Sequence, residues 1–463
     1  MTARSAGLGT LAIPKLFTSM SLPIIFGLLV GGLYNVVDAL FVTRGLGANA
    51  IGGVSIVFPI QMMIIALAGW IGSGSASIVA RRLGAKNMAD AELAAGNTLC
   101  LALVVGFSLM ALCLFLLNDL LALLAVTPGL KPYSLDYLVP ILSATPAVLV
   151  GAALSDLARA EGKMKILMLS MLLGSVTNII LDPIAIFVLG WGVRGVAYAT
   201  VFSQLLSLGL MVFVFASGRT DVKIKLANIR FNARLTGETL ALGLPLFINY
   251  FGVSVVIGLV NYSLGHSGLA ESDYLISAYG ILGRVFIFVF FPLLGMTIAY
   301  QTICGYNYGA QAYDRVAELT RLAVRVTSIY CSFFALIVVL FPGWILRIFT
   351  TDIQLIEQGQ AIARYLFLGF ALAGATNIWA IYFQAIGQPK PAMLLSSLRV
   401  YVLQIPLLIL LPLMFGINAI WYIFPIADGL TFLVSLVVIR LAFNKLPTNR
   451  TVLTADKTPL PSK

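Results

Sequence analysis

Two carboxylic acids stand inside apolar runs of this chain: Asp38 in LYNVVDALFV and Asp182 in TNIILDPIAIF. Within a bilayer a charged side chain is costly unless it is protonated, paired or turned toward water. Two carboxylates brought together in a low dielectric cannot both ionise cheaply, so such a pair can take up a proton or another cation. Helical spacing gives each acid a polar neighbour. Asn178 lies four residues before Asp182 and Tyr34 four before Asp38, so each shares its acid's helix face. Thr200, in the run after Asp182, falls about 12 Å below the outer end of its helix. These four oxygen-bearing groups, Asp38, Asn178, Asp182 and Thr200, suit either a proton or sodium.

The composition says what must carry these residues. Of 463 residues, 60% are hydrophobic and only 10% charged, where a soluble chain has about 25%. Mean hydropathy is +1.01. Long apolar runs recur from end to end, which predicts an all-α polytopic membrane protein. The first run lacks a small-residue cleavage site after it and reads as an uncleaved helix. The net charge of +11 has its source in particular loops, as membrane topology requires, and does not imply nucleic acid. The four cysteines, Cys100, Cys113, Cys304 and Cys331, form no CxxC and predict neither disulfide nor zinc.

Twelve spans are predicted, near 17–43, 51–80, 92–117, 134–160, 164–189, 192–217, 237–264, 273–303, 315–341, 358–386, 391–415 and 417–443. Basic residues then sort the loops. Arg81, Arg82 and Lys86, then Arg159, Lys163 and Lys165, then five between Arg219 and Arg234 share one side with Arg315, Arg321, Lys390, Lys445 and Arg450. The opposite loops hold Arg44, Lys131, Arg194 and Arg347. Both termini are therefore expected in the cytoplasm, with the spans in the inner (plasma) membrane.

The polar stretch 218–236 divides the chain into 1–217 with six spans and 237–445 with six more, before a polar tail over 446–463 expected to be disordered. The halves resemble each other. Gly162, Lys165, Met168 and Leu169 match Gly387, Lys390, Met393 and Leu394 at an offset of 225, and Gly84-Ala85 matches Gly309-Ala310. Leu22-Pro23 and Leu244-Pro245 mark the first span of each half. Two parallel pseudo-symmetric six-helix bundles are the expected architecture, one suited to alternating access. No HExxH, GxSxG or Walker-type GxxxxGK[ST] occurs, and the single histidine, His266, falls in an outer loop. An enzyme is not expected, nor any cofactor, and transport should draw on an ion gradient.

The segments LYNVVDALFVTRGLG, NIILDPIAIF and GVRGVAYATVFSQ, with the glycine-lysine segment after span four and the YGA loop after span eight, resemble the multidrug and toxic compound extrusion (MATE) transporters. The DinF-type branch, with its MepA-like efflux proteins, is the form resembled. The likeness covers essentially the whole chain. It implies two six-helix lobes around a V-shaped cavity, and export of cationic, amphipathic compounds against entry of H+ or Na+. It also implies that Asp38 is the coupling acid, with Asn178, Asp182 and Thr200 around it, and that Tyr34 and Pro23 belong to the conformational response of span one. The NorM-type branch differs in carrying acids in spans seven and ten. Here those spans offer only Asn249, Asn261, Thr376 and Asn377, so coupling is expected in the first lobe and to favour protons.

Two further charges share a depth. Arg284 and Asp428 each lie about 17 Å from the outer end of their spans, which predicts an intramembrane ion pair. Arg399 is expected to snorkel to the cytoplasmic headgroups, and Asp156 to pair at the membrane interface beside Arg159 and Glu161. The resulting expectation is a monomeric antiporter in the lipid bilayer whose partner is a small cationic or amphipathic molecule. The alternative is a flippase of a lipid-linked intermediate, which would need a cluster of basic residues for a polyanionic head group; only Arg284 and Arg399 are available.

Overall fold

A computed structural model of the chain describes residues 5–124, 126, 128–265, 272–349 and 352–443. The predicted tail and His266 lie outside them. In hydrocarbon every backbone amide and carbonyl needs an internal partner, and a helix provides one within its own segment. Among the described residues twelve helices are long and apolar enough to cross a membrane. They are α1 (Ile13–Leu46), α2 (Ala48–Gly84), α3 (Met88–Phe115), α4 (Lys131–Ala160), α5 (Met164–Pro183) and α6 (Gly192–Ala216). The second half follows with α7 (Ala233–Gly265), α8 (Ser272–Gly309) and α9 (Tyr313–Leu340). Then come α10 (Ile353–Leu368, resuming as Phe370–Ala385), α11 (Pro389–Ser397, resuming as Ile405–Phe415) and α12 (Ile420–Phe443).

The repeat read in the sequence reappears in the backbone. Helix ends at Gly84 and Gly309, at Phe115 and Leu340, and at Ala160 and Ala385 are each separated by 225 residues, as are the starts Met88 and Tyr313. The turns match too. Lys86 (φ 58°) and Gln311 (φ 57°) are both left-handed without being glycine, and Gly162 (φ 78°) and Gly387 (φ 82°) take the same conformation between their helices. Only glycine adopts that region without strain, which explains why the second pair is glycine in both halves.

The chain packs as two compact units. Of the described residues, the first takes those up to Gly7 and from Ser19 to Phe247, the second Leu8–Thr18 and those from Ile248 onward. In the first unit α2 and the early turns of α7 approach through glycines. A Cβ on Gly74 would collide with the Thr239 carbonyl, and one on Gly243 with the Trp70 carbonyl. Small residues let backbones come this close in lipid, where no hydrophobic force favours one helix partner over another. The Trp70 indole N–H then donates to the Leu240 carbonyl at 2.7 Å.

The polar stretch 218–236 is bound to this unit as well. The buried Glu161 carboxylate pairs with Lys163 and accepts from the Asp221 and Val222 amides at 2.9 and 3.0 Å. Burial nonetheless pushes this carboxyl above the usual glutamate range, because desolvation outweighs Lys163 and the two amides. Lys225 reaches Glu92 at 2.7 Å, and Asn97 Oδ1 accepts from the Asn232 amide at 2.8 Å and the Thr236 hydroxyl at 3.1 Å. Asp156 pairs with Arg159 at 2.7 Å, as its position predicts.

In the second unit, Arg315 holds the chain ahead of α1, donating to the Leu11 carbonyl at 2.7 Å and to Asn307 Oδ1 at 2.9 Å. Its core is mainly aliphatic, with a group of aromatic rings set into it. Phe286 of α8 meets Phe290, Phe367 and Phe370 at centroid distances of 5.8, 5.9 and 5.5 Å.

Removing the shared acceptor with Asn97→Ala should release two bonds from the 218–236 segment. The expected loss is about 1–3 kcal/mol, read as a lower thermal midpoint together with faster protease cleavage within 218–236.

Candidate functional site

The first unit brings the predicted polar residues together. Asp182 lies 18 residues into α5, about 27 Å along it. It is followed by Pro183, which has no amide hydrogen to continue the helical ladder. The chain widens there into a π turn over Ile184–Val188, whose Leu189 amide reaches back to the Ile184 carbonyl at 2.9 Å. Single π turns of this kind recur at functional sites, because the extra residue re-aims the side chains around it.

Asp182 is fully buried, and Asn178 and Thr200 are nearly so, at 2% and 5% exposed. The Asn178 amide nitrogen donates both to Asp182 Oδ1 and to Thr200 Oγ1, each at 3.2 Å. Asp38 of α1, half-buried, closes the group. Its carboxyl and that of Asp182 lie within mutual hydrogen-bond range. Two carboxyls can make such a bond only through a proton held by one of them. Asp38 Oδ1, Asp182 Oδ2 and Asn178 Oδ1 are buried and find no donor among the described side chains.

Two residues that the sequence reading passed over complete the cluster. Tyr137 of α4, 4% exposed, lies near Asp38, Asp182 and Tyr34, and is hydrogen-bonded to the Gln61 side chain of α2. Their signal was available: a glutamine and a tyrosine inside apolar spans, about 20 and 9 Å from the first residues of α2 and α4, on either side of the roughly 12 Å that separates Thr200 from the start of α6. Tyr34 stands on the exposed-to-intermediate face of α1 beside Asp38, and Pro23 lies within the same helix 15 residues before Asp38. Among the described residues no group of three or more His, Cys, Asp or Glu side chains could hold a metal ion.

The predicted pair of Arg284 with Asp428 does not form. Asp428 of α12 is bound by Arg399 of α11, whose Nε donates to Oδ1 and whose Nη2 donates to Oδ2 at 3.4 Å. Arg284 is exposed on α8. Equal depth fixes only the height of a side chain, and the direction it faces depends on rotation about the helix. Arg399 stands in a second π turn, Leu398–Gln404, and is aimed sideways at α12 rather than snorkelling to the headgroups.

Twelve spans, an internal repeat and a buried carboxyl cluster within one unit define a multi-pass membrane transporter. The MatE family model matches residues 23–184 and 245–410, and the chain belongs to that family. Multidrug export protein MepA of Staphylococcus aureus (strain MSSA476) is 23% identical over 436 residues, 93% of this chain and 94% of its own length. The protein of the same name from Staphylococcus haemolyticus is 24% identical over 95% of this chain and 96% of its own. Among solved structures, a MOP superfamily transporter of Pyrococcus furiosus superposes with a TM-score of 0.89 at 25% identity, over 97% of this chain and 100% of that one. An outward-facing multidrug resistance transporter of the same superfamily gives 0.89 at 24% identity, over 97% and 100% of the two chains.

Thr200→Val should leave the Asn178 amide with one acceptor in place of two and cost about 1 kcal/mol. Thr200→Ser should restore the wild-type thermal midpoint in nanodiscs. Equal midpoints for all three proteins would show that the hydrogen bond contributes nothing.

Proposed function

We propose that the protein exports cationic or amphipathic organic molecules in exchange for an inward-moving cation, and that Asp38 and Asp182 are the groups that bind this cation. The observation carrying the reading is the contact between these two carboxyls at a break in α5, with no ion pair to a basic side chain among the described residues. Such a pair carries excess negative charge as soon as both acids ionise, so it draws in a cation and changes shape when the cation leaves. The names of the relatives, multidrug export proteins, support the same activity.

Protons suit the arrangement better than sodium. Asn178 turns its N–H groups, which cannot coordinate a metal ion, to Asp182 and Thr200. A sodium ion would want the amide oxygen and the threonine oxygen directed inward as ligands. Protonation from the outer side would close the Asp38–Asp182 contact and draw α1 toward α5. α1 carries Pro23, where a missing backbone hydrogen bond lets it bend. Residues 1–217 and 237–445 would act as the two lobes, joined by 218–236. Substrate release and lobe reorientation follow if protonated and deprotonated states differ in their affinity for substrate. The loop charges support a reading with both termini in the cytoplasm and the spans in the inner membrane. A flippase for polyanionic lipids is less well supported, since one of its two candidate cations, Arg399, is already bound by Asp428.

The test is efflux of a fluorescent lipophilic cation from proteoliposomes under separately imposed proton and sodium gradients. Wild type should respond to the proton gradient. Asp38→Asn and Asp182→Asn should each reduce driven efflux to the protein-free level while inserting normally. Efflux retained by either variant would remove that acid from the mechanism, and efflux driven by sodium alone would reverse the choice of ion.

A further inference from the structure

The second unit contains a charged pocket that this scheme leaves unused. Asp428 is only 6% exposed, and its carboxyl fits because position 369 is glycine: a Cβ there would overlap it. Both its oxygens are taken by Arg399, through Nε and Nη2. The two partners of this pair are unequally covered. Here the arginine side chain keeps 33% of its surface, against 7% for the aspartate.

What the arginine faces is a cavity of about 30 Å³ bounded by Phe286, Phe290, Thr376, Asn377 and Thr431. That is room for a water or two, or for one small polar group. The donors around it are mostly committed. The Thr376 hydroxyl bonds the Leu372 carbonyl at 3.2 Å, the Thr431 hydroxyl the Ala427 carbonyl at 2.7 Å, and the Asn377 amide the Ala373 carbonyl at 2.8 Å. Arg399 Nη1, with two N–H groups, donates to no described side chain. The uncommitted valence of the pocket is therefore the Nη1 edge of a guanidinium whose charge Asp428 already balances, a set of N–H donors that suits the oxygens of a carboxylate. A planar carboxylate matches the guanidinium fork, whereas a dianion would meet Asp428 behind it. The stacked Phe286 and Phe290 rings supply an apolar wall beside the charge.

We propose that this pocket binds the carboxylate of an amphipathic monocarboxylic acid at Arg399, with the apolar body of the acid against Phe286 and Phe290. The site goes beyond the proposed cation exchange and does not depend on it. The same chemistry is offered by a membrane fatty acid and by a water-soluble aromatic acid.

The full-length protein in phosphatidylcholine nanodiscs, with no ion gradient, is titrated by fluorescence with dansyl-undecanoate and with dansylglycine. The neutral amide of each is the control. The acid form should bind at least roughly tenfold more tightly than its amide, as expected of a hydrogen bond to a charged group. A preference confined to dansyl-undecanoate assigns a membrane-borne ligand, and one extending to dansylglycine a soluble ligand. Arg399→Met combined with Asp428→Leu removes the pair without stranding a charge and should abolish the acid preference. Arg399→Lys keeps the charge, lacks the fork, and should weaken it; this variant reads the same contact should the double variant fail to fold. Equal binding of acid and amide by wild type, or a preference surviving both substitutions, would overturn the proposal. Because no gradient is used, its failure is separate from a failure of driven efflux.

Discussion

Inside a bilayer an unpaired backbone amide or carbonyl has no water to turn to, so a helix can be broken only where the protein itself compensates. Among the described residues three interruptions occur in the spans, and each adjoins an ionisable side chain. The π turn of α5 follows Asp182 and Pro183. The break in α10 at Gly369 is where the Asp428 carboxyl seats. The π turn of α11 carries Arg399 itself. A widened or interrupted turn frees space and re-aims side chains off the regular helical faces. That is what a buried carboxyl needs if it is to meet a partner on a neighbouring helix.

The repeat supplies a common scaffold but not common chemistry. At the offset of 225, Asp182 corresponds to Leu407 and Arg399 to Gly174, although the helix ends on either side coincide. The first unit holds two acids near one another without a base, and the second an acid already forked by an arginine. The first arrangement is unbalanced and suits a cation that comes and goes. The second is balanced within the protein and leaves the outer edge of the guanidinium, Nη1 with the second N–H of Nη2, for a ligand. Duplication thus preserved packing, through the glycine and left-handed turns, while the polar side chains diverged.

The segment 218–236 shows how composition alone misleads. Its length and polarity read as a simple connector, yet Glu161, Asn97 and Glu92 fasten it to the first unit at three points. Each fastening uses a backbone amide, a lysine or the Thr236 hydroxyl of the segment against a side chain 133 to 139 residues, or about 60, earlier in the chain. Such partners carry no local signature, because a single acceptor inside a helix looks the same whether or not a distant amide reaches it.

The sequence by itself determined the number of spans, their approximate ends, the repeat and the sharing of one face by Asn178 with Asp182. These follow from hydropathy and from the 3.6-residue period, which are local properties of the chain. It also brought Asp38, Asp182 and Thr200 to a common level, because depth is a matter of counting residues along a helix of known rise. Only the tertiary structure decided which side chains at one level meet. Tyr137 and Gln61 joined the acid cluster, and Asp428 turned to Arg399 rather than Arg284. The physical reason is rotation. One extra residue in a π turn swings the following helix face by about 100°, and helix packing then sets the remaining angle. Neither quantity is recorded in the spacing of residues along the chain.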